Sequence, residues 1–83
     1  MSDRYITKAE YTQAKSRLTR AENKAKKAAT TAEKAAAYEN VVWEVNHTLN
    51  TLWADKAWPD NWHRWNIARE DAITALHYLK GWG

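Results

Sequence analysis

For its first 58 residues the chain contains neither glycine nor proline. Those two residues most often end a helix, one through its conformational freedom, the other through its missing N–H and the clash of its ring. The stretch is filled instead with Ala, Lys, Glu, Gln and Arg, which lose the least rotamer freedom on becoming helical. An all-α fold is expected, because nothing in the stretch breaks a helix.

The helix start is marked by Ile6-Thr7-Lys8-Ala9-Glu10-Tyr11. Thr7 with Glu10 three residues on is a capping box, and Ile6 and Tyr11 hold the positions of a hydrophobic staple. Small and apolar residues then recur at Tyr11, Ala14, Leu18, Ala21, Ala25, Ala28, Ala32 and Ala35. After one irregular step they resume at Tyr38, Val42, Val45, Leu49 and Leu52. This is a heptad seam, rich in alanine first and in Val and Leu later. It predicts one long helix over 7–56, roughly 75 Å in length.

A break at Thr30-Thr31-Ala32-Glu33 is the competing expectation, since this is a second capping box and would divide the chain into three helices. The pattern Thr-x-Ala-Glu also stands at 7–10 and 19–22, so it cannot mark a start each time. An interior threonine costs under about 0.7 kcal/mol, which favours the unbroken helix.

The second helix is better bounded and is expected over 60–80. Pro59 disfavours helical backbone at Trp58, Asp60 or Asn61 is placed to cap, and Asp60 can pair with Arg64 one turn on. Lys80-Gly81 closes it with a basic last turn and a residue suited to left-handed backbone. The short connection turns it back as an antiparallel hairpin, with Trp62 near Trp53 and Trp65 near Leu49. Eighty-three residues make a single domain with a thin core. An uncovered alanine seam then predicts a homo-oligomeric, coiled-coil-like bundle.

Two patterns carry the expectations about function. Residues 58–65 read WPDNWHRW, three tryptophans in a chain that has no phenylalanine. They plug the closed end of the hairpin or, in the sharper reading, Trp58, Trp62, Trp65 and Arg64 form a partner-binding surface, since Trp and Arg dominate interface hot spots. The second pattern is charge. Residues 1–34 carry nine basic against four acidic side chains, and the remainder four against six. Arg17, Arg20, Lys24 and Lys27 form a stripe about 15 Å long that suits phosphates or an acidic protein. No aromatic residue interrupts that stripe in the sequence to stack on a base.

Other classes have little footing. There is no cysteine, hence no disulfide or thiolate metal site. His47, His63 and His77 lack the i, i+4 spacing of a helical zinc pair, and Glu39, Glu44, Glu70 and Asp71 make at most an acidic patch. No Gly-rich phosphate loop exists, so no catalytic, cofactor-binding or metal-binding residue is assigned. With no apolar run near the roughly 20 residues of a membrane span and no secretory h-region, a cytoplasmic location is expected.

The stretch PDNWHRWNIAREDAITAL, within about residues 58–76, resembles small uncharacterised proteins encoded by bacteriophages of actinobacteria. The resemblance implies an accessory factor in the host cytoplasm that binds a host protein, and transfers no residue roles. A non-enzymatic, self-associating protein–protein interaction module is therefore the expected function, with nucleic-acid binding through 15–27 as the alternative.

Overall fold

The computed structural model describes residues 5–81. Helix α1 runs over Lys8–Lys27 and α2 over Thr31–His47, which continues into a π-helical turn, Thr48–Leu52; α3 is His63–Lys80. No named strand occurs among the described residues; Tyr5 and Ala57 form one isolated parallel bridge. Among the described residues no helix is long and apolar enough to cross a membrane.

The single helix over 7–56 is replaced by two. A helix of that length would exceed the molecule, whose longest dimension is 47 Å. Ala28 and Thr30 take extended backbone, and the Thr30 side chain accepts a hydrogen bond from the Glu33 N–H at 3.1 Å. Local propensity is close to neutral here, so burial decides. Folding back covers the α1 part of the alanine seam, where Ala14, Leu18, Ala21 and Ala25 are all buried; on α2 the buried face is Ala37, Val41 and Val45 rather than the expected Tyr38, Val42 and Val45. The expected oligomer rested on that seam, of which Ala14, Ala21 and Ala25 are covered within the chain while Ala32 and Leu52 are exposed.

At Thr7 the capping box is complete in both directions. Beyond His47 a regular helix would turn Leu49 and Trp53 progressively off the core, because four residues overshoot a full turn by about 40°. The π-helical turn counters this drift: the Trp53 N–H bonds to the Thr48 carbonyl at 2.8 Å, and both Leu49 and Trp53 are buried.

Helix α3 starts at His63 rather than at 60, and it is led in by three-residue turns in which the carbonyls of Pro59, Asn61 and Trp62 accept from the N–H groups of Trp62, Arg64 and Trp65. Neither Asp60 nor Asn61 caps it. Asn61 donates to the Tyr11 hydroxyl, and Arg64 turns away from Asp60 to Glu22 at 2.9 Å and Thr19 at 3.4 Å. Gly81 closes the helix with φ 67°, the left-handed value that the sequence demanded. Arg69 reaches Asn46 and Lys80 reaches Glu39, so α3 is antiparallel to α2. Lys56 reaches back to Glu10. The result is an up-down-up arrangement of three helices.

Candidate functional site

The tryptophan cluster is mainly core. Trp65 is 0% exposed and stands edge-on to Trp53 at 5.0 Å and to Tyr11 at 5.6 Å. Trp53 thus meets Trp65 rather than Trp62, because the connection before α3 is longer than a tight hairpin. Trp62 is half-buried between Trp58, at 5.2 Å, and His63, at 4.1 Å. Trp58 is 37% exposed, and its indole N–H donates to the Trp53 carbonyl at 2.9 Å. Arg64 is half-buried and committed to Glu22. Of the four residues expected at a partner surface, Trp65 is sealed and Arg64 is already paired, so they do not assemble into an open site.

The basic stripe fares differently. Folding back at 28–30 sets α2 alongside α1, and a continuous groove opens between them. One part is lined by Arg17, Arg20, Lys24, Asn40, Trp43, Glu44 and His47; the adjoining part shares Arg20, Lys24 and Asn40 and extends past Lys27 to Ala36 and Glu33. All four expected cations therefore line one wall. Each is exposed, and none has an ion pair or hydrogen bond among the described residues. Lys24 and Lys27 also lie in the last turn of α1, where the helix dipole favours cations. That accounts for part of the basic bias without any ligand, but not for Arg17 and Arg20 further up the helix.

The facing wall was missed from the sequence. Trp43 is 55% exposed and lies parallel to the His47 ring, with centroids 4.6 Å apart and planes 11° apart. In an unbroken helix Trp43 would stand about 39 Å from Arg17, so only the fold-back brings them to one groove. The available signal was that Trp43 falls off the Tyr38, Val42, Val45 seam, where an aromatic ring has no core to enter.

Acidic groups in the groove are Glu33 and Glu44. One carboxylate oxygen of Glu44 is buried without a hydrogen-bond partner among the described residues, and two acids against four cations leave the groove electropositive. The acidic patch expected from Glu39, Glu44, Glu70 and Asp71 does not form, since Glu39 pairs with Lys80 and Glu44 faces α1. Among the described residues no three His, Asp or Glu side chains gather as metal ligands would.

Compared with protein-family models, curated proteins and solved structures, the chain matches none. Residues 58–76 build the connection and most of α3, and none of them lines this groove.

Proposed function

We propose that this chain is a small, non-enzymatic nucleic-acid-binding protein that holds the phosphate backbone in the groove between α1 and α2. The observation that carries the reading is the wall of Arg17, Arg20, Lys24 and Lys27, four exposed cations without a partner among the described residues, facing a groove whose described lining holds two acids. Uncompensated cations along about 15 Å of helix raise the local potential and release counterions when phosphates replace them. The wholly protein-based alternative loses Trp65 and Arg64 as contact residues, which is why it ranks second. An acidic protein segment lying on the same wall is the competing occupant.

Salt dependence decides between outcomes. If all four cations meet phosphates, the slope of log K against log salt should approach −2.8 for a single strand, from about −0.7 per contact. Between about 50 and 200 mM salt that is a loss of roughly 50-fold. Neutralising Arg20 and Lys24 together should reduce the slope by about 1.4. Failure of any oligonucleotide to bind at 50 mM salt, with polyglutamate binding instead, would sink the reading in favour of an acidic protein partner.

A further inference from the structure

Resting on that reading, we infer that the nucleic acid is single-stranded and that Trp43, backed by His47, is the platform on which one of its bases stacks. Three observations lead there. First, Trp43 is the most exposed of the tryptophans described, at 55%, although tryptophan is the residue with most to gain from burial. Its place on α2 contributes little to the core, which is built from Ala37, Val41 and Val45 on the same helix.

Second, the ring is held. His47 lies one helical turn on, parallel to the indole at 4.6 Å, so one ring supports the other and the side chain loses little freedom when a ligand arrives. Arg17, Arg20 and Lys24 line the same groove section as the indole, and Asn40 adds an amide able both to donate and to accept. Phosphates on the cations would leave the attached bases directed across the groove toward the ring. Aromatic faces interleaved with cations are the recurrent means of holding a single strand without regard to sequence.

Third, the cations line a furrow rather than a ridge. Helices packed about 8–10 Å apart axis to axis leave no gap between them, so the furrow is a surface depression along which a strand can lie. A duplex keeps its bases stacked inside, and its major groove, about 12 Å wide, takes a protruding helix rather than filling a furrow. Base stacking on Trp43 needs an unpaired base, and DNA and RNA single strands share that chemistry.

The test uses the full chain and fluorescence anisotropy on labelled 12-nucleotide probes: oligodeoxythymidine, oligouridine, an abasic deoxyribose-phosphate strand, and a duplex. The single strands should bind at least tenfold more tightly than the duplex. Trp43→Ala should weaken oligodeoxythymidine binding by about 5- to 150-fold, the span of base–aromatic stacking, while leaving the salt slope unchanged. Trp43→Phe should recover most of the affinity, and Trp43→Ala should make no difference on the abasic strand. A melting curve confirms that each variant is folded, which the exposure of Trp43 favours. Equal affinity for the duplex, with Trp43→Ala silent on every probe, would overturn the stacking inference while leaving nucleic-acid binding intact. Binding to none of the probes would overturn the reading beneath it.

Discussion

Replacing Trp65 with alanine tests the fold at its most enclosed point. Trp65 is 0% exposed, so its ring removes on the order of 200 Å² from water. At about 25 cal/mol/Å² this is about 5 kcal/mol, an upper figure because the unfolded chain hides part of that area already. Truncations of buried aromatics cost about 3–5 kcal/mol, and a domain of 83 residues has a total stability of about 4–12 kcal/mol. Trp65→Ala should therefore remove from a quarter to all of the stability. At about 4–8 °C per kcal/mol the midpoint falls by about 12–40 °C, read by circular dichroism at 222 nm. Trp65→Phe should be far milder. The indole N–H is buried without an acceptor among the described residues; losing it relieves about 1–3 kcal/mol, which offsets much of the smaller ring's void. A Trp65→Ala midpoint within 5 °C of the parent would refute the packing described here, whatever the phenylalanine variant did.

Three further outcomes follow from other contacts of the fold. Hydrogen bonds from the Lys56 ammonium and from the Thr7 backbone N–H hold the Glu10 carboxyl below the usual range. Its folded pKa lies below the unfolded value of about 4.3, so its contribution is complete above that pH and is lost as pH falls through the folded value. Melting temperatures measured between about pH 5 and 3 should thus decline more steeply in the parent than in Glu10→Gln; parallel curves would remove the Glu10–Lys56 contact from the account. Because the α1 part of the alanine seam is covered within the chain, sedimentation at tens of micromolar should return the 9.6 kDa monomer. Thr30→Ala, which removes a cap contributing about 0.5–2 kcal/mol, should shift the chain toward the continuous helix and raise that mass. A parent that already sediments as a dimer would mean that the break at 28–30 is not maintained in solution.

The ends of the helices were legible where a short stretch of sequence determines them. Thr7 with Glu10 and Gly81 after Lys80 need only their immediate neighbours, and each does what its residues dictate. The middle was not legible for the same reason. Thr-x-Ala-Glu stands three times, yet Thr7 and Thr30 cap helices while Thr19 lies inside α1 with its hydroxyl accepting from Arg64. Nothing local separates those three; the difference is which choice lets the alanine seam find a partner. The groove inherited that ambiguity. Its cations were visible as a stripe, but Trp43 and His47 join them only once the chain folds back at 28–30. The tryptophan cluster shows the converse, since composition identified it and only burial could tell that Trp65 is enclosed and Trp58 is not.

The π-helical turn over Thr48–Leu52 has a consequence for chain length. It holds one residue more than an α-helical turn of the same rise, and the surplus is absorbed locally. Deleting a single residue within it would restore ordinary helix and leave Trp53 in phase with Val41 and Val45. The same deletion in the middle of α2 would rotate everything beyond it by about 100°, carrying Leu49 and Trp53 off the core together. The molecule thus has one place in its helical scaffold where its length can change by a residue without changing its wiring.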